Sequence, residues 1–368
     1  MSGVPAIDLR LQHESVAAEI AEGFAAVIDE TAFILGPPVA AFEAAYAAFV
    51  GARHCVGVAS GTDALELALR AADVRADDEV LLPANAFIAT ALAVARAGAR
   101  PVLVDCDPEF HLLDVADAAA RATKRTRFLL PVHLYGQMAP VEEIEALARA
   151  RGLTIIEDAA QAQGARQNGR AAGTVGRAAG TSFYPGKNLG AYGDAGAVTS
   201  DDDAIAARVR ALRNYGSDVK YHHPETGFNS RLDTLQAVVL GAKLKRLAAW
   251  NEARRVAARR YAELLADLPA VTPPRTRAGN EHVFHLYVVR VPHRDEVVGK
   301  LNADGIGAQV HYPVPIHLQG AFRHLGRGVG SFPVAEQAAR EVLSLPIYPE
   351  ITADQQGLVV ESLRRALG

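Results

Sequence analysis

The sequence has few cysteines and no long apolar or basic run, and each shortage argues against a class of protein. Only two cysteines, Cys55 and Cys106, occur among 368 residues, which is too few for a disulfide framework and gives no zinc-binding spacing. No stretch of about 18 apolar residues is present, so we expect no membrane-spanning helix. The formal net charge is −4, and the absence of a basic run gives no indication of nucleic-acid binding.

The N-terminal segment also lacks the apolar core of a leader peptide. Six acids, the first of them Asp8, lie within residues 1–30, so we expect no secretory signal. Both cysteines lie in apolar, strand-like runs, which favours free, buried thiols in a reducing compartment. The sequence therefore indicates a cytoplasmic protein.

The chain is long enough for two domains or for one large α/β unit. Between residues 54 and 215, short β-branched runs alternate with helical patterns. This alternation is typical of a mostly parallel sheet with helices on both faces. The strand-like runs are HCVGVAS (54–60), EVLLPA (79–84), RPVLVDC (100–106), TRFLLPVHLY (126–135), LTIIED (153–158), GTSFY (180–184) and AGAVTS (195–200).

A long helical pattern at about 231–267 precedes a different C-terminal pattern. HLYVVRV (285–291) predicts a strand and DEVVGKLNADG (295–305) a helix, as in a smaller α+β unit. We predict a large domain over residues 1–245 and a small C-terminal domain over 246–368. The basic residues of the long helix predict a solvated face; they are Lys243, Lys245, Arg254, Arg255, Arg259 and Arg260.

Lys187 lies in an unusual loop, between Gly186 and the sequence Asn188-Leu189-Gly190. A P-loop is excluded, because no hydroxyl residue follows the lysine. Of only six lysines in the chain, this one alone has apolar or glycine neighbours at the end of a strand-like run. Such surroundings suit a Schiff-base lysine, whose amine must be unprotonated to attack an aldehyde. The loop by itself equally permits an ordinary surface lysine.

Asp158 closes the strand pattern LTIIED, and Gln161 follows it. Ligands of open α/β sheets bind at the carboxyl ends of strands, so both side chains are candidates for a cofactor site. Pyridoxal phosphate requires an acid at its ring nitrogen, which makes the ring an electron sink. The alternative, a solvated loop acid, is disfavoured by the apolar run before Asp158.

Ser60-Gly61-Thr62 lies between a strand and a helix, where a helix N-terminus favours an anion such as the cofactor phosphate. A simple N-cap explains the same residues. Phe87 follows another strand-like run, where stacking on a cofactor ring and ordinary core packing are both open.

Together these stretches resemble the DegT/DnrJ/EryC1/StrS family of sugar aminotransferases. The resemblance extends from FILGPPVAAFE (33–43) to LSLPIYP (343–349), with the motifs in order: GTDALELALR, PANAFIATALAV, EDAAQAQGA, SFYPGKNLGAYGDAGAV and GFNSRLDTLQA. It implies the aspartate-aminotransferase-like fold (fold type I), with a mostly parallel mixed sheet in the large domain. It also implies a homodimer with shared active sites.

The resemblance assigns cofactor roles to the residues already singled out. Lys187 is implied to form the Schiff base with pyridoxal phosphate and to shuttle protons, while Asp158 pairs with the ring nitrogen. Gln161 is implied to contact the phenolic oxygen and Phe87 to stack on the ring. The phosphate ligands implied are Gly61, Thr62 and Ser182, with Asn229 reaching across from the neighbouring subunit.

The substrate is implied by the surroundings of the lysine. KNLGAYGDAGA resembles members that act on 3-keto sugars, although Ala195 stands where glycine is usual. RNYGSDVKYHHPETGFNSRLD and HYPVPIHLQ resemble 3-keto-6-deoxyhexose aminotransferases, commonly dTDP-linked. The implied hexose pocket is Tyr184, His311 and Tyr312, and the implied diphosphate ligands are Lys220, Tyr221 and Arg231.

The implied reaction is ping-pong transamination, in which glutamate or glutamine gives an amine that then passes to the keto sugar. Alternatives within the family are a 4-keto sugar, a 3-keto acetamido-uronate sugar or a keto-cyclitol. An alternative of another class is a non-catalytic, cofactor-binding regulator. No metal is expected, because the histidines at 282, 285, 311 and 317 have no carboxylate or cysteine at ligand spacing.

Overall fold

The computed structural model describes residues 3–368. Its strands are β1 His54–Val58, β2 Glu79–Pro83, β3 Arg100–Val104, β4 Thr126–Leu129, β5 Thr154–Asp158, β6 Arg166–Gln167, β7 Arg170–Ala171, β8 Ala178–Ser182, β9 Gly196–Ser200, β10 Asn280–Glu281, β11 Tyr287–Arg290 and β12 Val342–Leu345. Its α-helices are α1 Leu9–Glu14, α2 Ala17–Asp29, α3 Pro37–Val50, α4 Gly61–Ala71, α5 Ile88–Arg96, α6 Val115–Arg121, α7 Val141–Arg151, α8 Asp203–Leu212, α9 Thr234–Leu244, α10 Leu247–Leu264, α11 Arg294–Ala303, α12 Pro333–Glu341 and α13 Ala353–Leu367.

Seven strands form the central sheet in the order β1-β9-β8-β5-β4-β2-β3. The neighbours β3, β2, β4, β5 and β8 are parallel, whereas β9 runs antiparallel to both β8 and β1. The predicted α/β fold with a mostly parallel mixed sheet is thus confirmed. Central strands such as β2 and β9 are buried along their whole length, as expected for a sheet covered on both faces.

Helix α4 packs closely on the sheet because glycine stands opposite it. A Cβ added at Gly180 in β8 would come within 2.9 Å of the α4 backbone at Leu65. The N-terminus of α4 is capped by Ser60, whose hydroxyl accepts a hydrogen bond from the Asp63 N–H at 3.1 Å. This packing fixes the start of α4 beside the carboxyl end of β8.

The C-terminal part has a separate apolar cluster, drawn from residues 257–366 together with Val4. Within it β11 and β12 form an antiparallel pair, in which Tyr287 faces Leu345. The N-terminal segment joins this part through a parallel bridge between Val4 and Ile306. These features accord with a small C-terminal domain, but the boundary at residues 245–246 stays a prediction.

The long helix predicted at 231–267 is wrong in one respect, since two helices occupy the stretch. Helix α9 ends at Leu244 and α10 begins at Leu247. The predicted solvated face is also wrong at two positions, because Lys243 and Arg254 are each only 1% exposed. Both cations instead bind backbone carbonyl groups, Lys243 at Gly190 and Arg254 at Phe284 and Ile347.

The strand predicted at 126–135 is shorter than its sequence pattern. β4 ends at Leu129, and the chain then turns, with Tyr135 at a φ of 61°. Pro131, which lacks an N–H, explains why the ladder stops. Both cysteines are free and buried, as predicted. Across residues 3–368, no helix is sufficiently long and apolar to cross a membrane.

Candidate active site

A cavity of about 710 Å³ opens at the carboxyl ends of the parallel strands, bordered by the last residues of β5 and β8. This is where an open α/β sheet binds its ligands. Ten of the fourteen residues predicted for the site line this cavity; they are Gly61, Thr62, Phe87, Asp158, Gln161, Ser182, Tyr184, Lys187, His311 and Tyr312.

Lys187 reaches the cavity from a turn that follows β8. Its backbone N–H donates to the carbonyl of Tyr184 at 2.8 Å, which closes the turn. Burial lowers the pKa of the lysine amine to about 8, although the charge of Asp158 opposes this shift. Near physiological pH the neutral fraction of this amine is therefore still a minority, but it is far larger than that of an exposed lysine, and the neutral form is the one a nucleophile requires.

Asp158, the last residue of β5, is only 5% exposed. One carboxylate oxygen accepts from the Thr90 hydroxyl at 2.7 Å and the other from the Ala160 N–H at 3.1 Å. Burial raises the pKa of this carboxyl group, whereas its hydrogen bonds and Lys187 oppose the shift. Both oxygens act as acceptors, so the carboxylate is oriented to receive a further N–H from a ligand in the cavity.

The preceding residue, Glu157, points away from the cavity, because successive strand residues face opposite sides of a sheet. It is completely buried and accepts hydrogen bonds from the backbone of Gly173, Val175 and Gly176. His133 lies 2.8 Å from it through Nε2. These hydrogen bonds lower the pKa of Glu157 against the effect of burial. They anchor β5, which places Asp158.

Gln161 connects two aromatic residues, Tyr135 and Tyr312, through its side-chain amide. Its carbonyl oxygen accepts from the Tyr135 N–H at 2.7 Å, and its amide donates to the Tyr312 hydroxyl at 2.9 Å. The Tyr312 ring contacts Phe87, with centroids 5.3 Å apart. Phe87 is 51% exposed, so core packing does not account for it.

The start of α4 forms a narrow pocket against the end of β8. A Cβ at Gly61 would lie 2.5 Å from the Ser182 Cβ, so only glycine permits this approach. The first N–H groups of a helix have no partners within the helix and favour an anion. Gly61, Thr62 and Ser182 thus offer a polar, electropositive corner to the cavity.

The remaining four predicted residues do not reach this cavity within one chain. Asn229 and Arg231 line a second, more open cavity of about 400 Å³, and Asp194 lines both cavities. Arg231 donates to Asn214 at 3.1 Å. Lys220 and Tyr221 line neither cavity, and Tyr221 is 82% exposed.

Several lining residues were not predicted from the sequence. Thr90 binds Asp158 from α5, His285 and Ser344 come from the C-terminal part, and Ile7 comes from the N-terminal segment. His311 is held by Ser344, with Nδ1 2.8 Å from the hydroxyl. No local pattern marks these residues, since distant segments bring them together. Within residues 3–368, no group of three or more acid, histidine or cysteine side chains is arranged to hold a metal.

The residues present fit pyridoxal phosphate. Lys187 provides an amine whose Nζ has no hydrogen bond or ion pair among the described residues, and Asp158 an oriented carboxylate. Phe87 exposes a ring beside them, and Gly61 lies in a cradle that any Cβ would fill. These four features complement, in turn, the aldehyde, the cationic ring nitrogen, the ring face and the phosphate of pyridoxal phosphate.

Comparison with known proteins agrees with this geometry. Residues 14–364 match the DegT/DnrJ/EryC1/StrS aminotransferase family. The chain is 46% identical over 361 residues to the dTDP-3-amino-3,4,6-trideoxy-alpha-D-glucose transaminase of Streptomyces venezuelae, covering 98% of this chain and 95% of that one. It is also 46% identical over 362 residues to the "Pleiotropic regulatory protein" of Geobacillus stearothermophilus, covering 98% and 97% respectively.

The fold agrees with a solved structure as well. The crystal structure of S. venezuelae DesV in complex with a ketimine intermediate superposes with a TM-score of 0.97 at 45% identity. The match covers 99% of this chain and 98% of DesV. The chain therefore belongs to the DegT/DnrJ/EryC1/StrS aminotransferase family.

Proposed function

We propose that this aminotransferase uses pyridoxal phosphate to aminate a dTDP-linked 3-keto-6-deoxyhexose, with glutamate as amino donor. The observation that carries the proposal is that the Lys187 amine and the Asp158 carboxylate line one cavity. The 3-keto preference is supported by the KNLGAYGDAGA motif and by the transaminase of S. venezuelae.

Each end of the cofactor has a matching group in the cavity. Gly61, Thr62 and Ser182 would hold the phosphate at the start of α4, and Phe87 would cover the ring. Asp158 would hold the ring nitrogen and keep its proton in place. When bound, the cofactor supplies an aldehyde that takes up the amine and a ring that accepts an electron pair.

Lys187 would supply the movable proton. With a pKa near 8, its amine exchanges a proton close to neutral pH, as efficient acid–base catalysis requires. The lysine lies in the same cavity as Tyr184, His311 and Tyr312, which we assign to the hexose. These side chains would present the keto carbon to the amine and exclude water from it.

The nucleotide diphosphate would meet Lys220, Tyr221 and Arg231. These residues lie outside the main cavity of their own chain, so we propose that they and Asn229 act in the site of a second copy. The functional unit would then be a homodimer. Charge-assisted hydrogen bonds from Lys and Arg to phosphate oxygens would supply much of the affinity.

The experiment for the sugar runs the reaction in reverse, because 3-keto sugars are labile. The purified protein with pyridoxal phosphate is incubated with 2-oxoglutarate and with dTDP-linked 3-amino or 4-amino sugars, and glutamate is measured. Consumption of the 3-amino sugar alone supports the proposal. Consumption of the 4-amino sugar alone assigns the alternative acceptor, and no consumption of any sugar rejects both.

A second candidate, a non-catalytic regulator, is favoured by the relative named a pleiotropic regulatory protein. Mixing the loaded protein with glutamate separates the two functions. An aminotransferase converts the cofactor to its amine form and the visible band disappears, whereas a regulator leaves the band unchanged.

We also propose a cytoplasmic location, on the basis of the two free thiols; cell fractionation tests it.

A further inference from the structure

His285 enters the cavity from the C-terminal part, just before β11. Its ring nitrogen Nδ1 lies 3.2 Å from the amide oxygen Oδ1 of Asn188, the residue after Lys187. The other ring nitrogen, Nε2, has no hydrogen-bond partner among residues 3–368. His285 therefore presents one nitrogen to the protein, and its second nitrogen is available to a molecule in the cavity.

The orientation of the Asn188 amide decides which ring nitrogen carries the proton. The Asn188 nitrogen Nδ2 lies 3.0 Å from the carbonyl of Val283, which can only accept. The same nitrogen donates to the Asn251 side-chain oxygen at 2.8 Å. The atom facing His285 is consequently the Asn188 oxygen, which also can only accept. The Nδ1 of His285 must therefore be an N–H donor.

A second proton on this ring is opposed from several sides. Burial lowers the pKa of His285 well below its usual value. The titratable and charged groups that act on it are Lys187 on the lysine turn, Arg254 on α10, and His311 and His282 on the neighbouring segments. All four disfavour a further positive charge there. A neutral ring with its proton on Nδ1 has a lone pair on Nε2.

The backbone of His285 is held firmly, so that Nε2 has a defined position. The buried Arg254 side chain donates to the carbonyls of Phe284 at 3.1 Å and His285 at 3.4 Å. In addition, a Cβ at Gly136 would lie 2.8 Å from the backbone nitrogen of His285, so the segments of these two residues are in close contact. A fixed acceptor of this kind is typical of a binding site rather than of a surface histidine.

We propose that Nε2 of His285 accepts a hydrogen bond from an O–H or N–H group of the substrate, and so helps to position it beside Lys187. The proposal rests on the proposed function, since it assigns a role in the same cavity. Two groups have this chemistry: a hydroxyl of the sugar and the ammonium of the amino donor. They enter in different half-reactions, which allows them to be told apart.

The tautomer is tested on the protein alone, without cofactor. Nitrogen-15 NMR of the protein labelled with nitrogen-15 histidine reports which ring nitrogen carries the proton. The signal that is missing from the His285→Asn variant belongs to His285. His285 is expected to carry its proton on Nδ1. His133 is an internal control of the opposite kind, because its Nδ1 accepts from the Ala139 N–H at 3.1 Å. A His285 signal with Nε2 protonated would overturn the proposal.

Two substitutions test the role of Nε2 in the loaded enzyme. His285→Asn keeps an amide near the Nδ1 position and removes Nε2, whereas His285→Gln extends an amide to the Nε2 position. The rate constants of the glutamate and amino-sugar half-reactions are measured separately by the change in cofactor absorbance. Loss of one substrate hydrogen bond corresponds to about a tenfold fall in kcat/KM.

The expected result is that His285→Asn loses about tenfold in one half-reaction, which identifies the substrate group, while His285→Gln stays near the wild type. Wild-type rates in the Asn variant, or equal losses in both variants, would contradict the role of Nε2. Thermal melting and cofactor capture must match the wild type in both variants. Failure of the proposed function is distinct, because the unsubstituted protein itself would then show no half-reaction.

Discussion

At the residue scale, burial acts on two opposite charges in one cavity. It lowers the pKa of Lys187 to about 8 and raises the pKa of Asp158, because a low-dielectric site disfavours either charged form. Each residue also stabilises the charge of the other. The pair is therefore sensitive to anything that enters the cavity and carries charge of its own.

The lowered pKa of Lys187 predicts how its reactivity depends on pH. Below about pH 8 the amine is mostly protonated, and above that value it is mostly neutral. The rate at which the protein without cofactor captures pyridoxal phosphate should thus rise up to about pH 8 and then level off. The measurement is the growth of the visible band, followed by borohydride reduction and peptide mapping of the adduct.

Lys187→Ala is the control for this prediction and should give no reduced adduct at the loop. A midpoint near 10.5, the ordinary value for lysine, would contradict the burial argument. An adduct on another lysine would reject Lys187 as the attachment site.

Replacing Asp158 by Asn should leave the fold intact while most turnover is lost. The amide is nearly the same size and can still bind Thr90, but it carries no charge to hold a cationic ring nitrogen. We expect a fall in kcat of about 10²- to 10³-fold, as for other oriented electrostatic groups. Steady-state kinetics and a thermal melt measure the two effects, and unchanged kcat would remove the assigned role.

Lys187 and Asp158 can be located from the sequence because each lies at or just after the end of a strand pattern, where ligands of this sheet type bind. Thr90 and His285 cannot be located in this way, for a physical reason. Thr90 reaches Asp158 across 68 positions of sequence, and His285 reaches Asn188 across 97. Contacts of this range depend on how helices and segments pack, and no local period encodes them.

At the scale of elements, Lys243 on α9 secures the loop at residues 184–192, which carries Lys187. Its ammonium donates to the Gly190 carbonyl at 2.7 Å and lies 4.5 Å from the centre of the Tyr192 ring. Lys243→Met removes both interactions and leaves the carbonyl without a donor. Amide hydrogen exchange over residues 184–192 should become faster, and kcat should fall because the loop orients Lys187.

Lys245 on the same stretch is a matched control. It is largely exposed and pairs with Glu19 at 2.9 Å, and an exposed ion pair contributes little to stability. Lys245→Met should therefore leave exchange in the loop unchanged. Equal exchange in the two variants would show that Lys243 does not hold the loop.

The start of α4 gives a steric prediction. Gly61→Ala places a Cβ 2.5 Å from that of Ser182, so β8 and α4 must separate where the phosphate is assigned. The affinity for pyridoxal phosphate, measured by titration, should fall by at least about tenfold, which corresponds to the loss of one or two hydrogen bonds. Gly299→Ala in α11 meets nothing within 4 Å and should instead stabilise the protein by ~1 kcal/mol.

The elements themselves differ in how well their sequences predict them. The strands of the sheet are close to their apolar runs, because burial on both faces leaves a continuous pattern. The break between α9 and α10 has no sequence signal, because the two residues between the helices are Lys245 and Arg246 and neither is a helix-breaking proline or glycine. Arg254 was predicted to be exposed because it is charged. It is buried instead, because its guanidinium group donates to three backbone carbonyls in the core.

At the scale of the whole molecule, the proposed homodimer predicts complementation between inactive subunits. Lys187→Ala and Asn229→Ala chains should each be weakly active alone. If Asn229 serves the neighbouring site, a mixed dimer contains one site with both defects and one intact site. Activity should therefore return when the two proteins are unfolded together and refolded. No recovery would place Asn229 in the site of its own chain.

The domain division predicted at residues 245–246 also belongs to this scale. Limited proteolysis would test it, since a boundary there should yield a fragment ending near Arg246. Arg254 bears on the outcome, because this buried side chain of α10 binds the carbonyls of residues 284, 285 and 347. The sequence suggested two units from a change of pattern but contained no signal for this connection.

Strand β5 limits how this protein can change over evolutionary time. Glu157 and Asp158 are adjacent, yet one anchors the strand beneath the sheet and the other faces the ligand cavity. Losing or gaining a single codon within the strand would exchange their directions, placing each acid among partners suited to the other. Such a lesion would damage folding and chemistry together, so lineages should tolerate substitutions here far more readily than length changes.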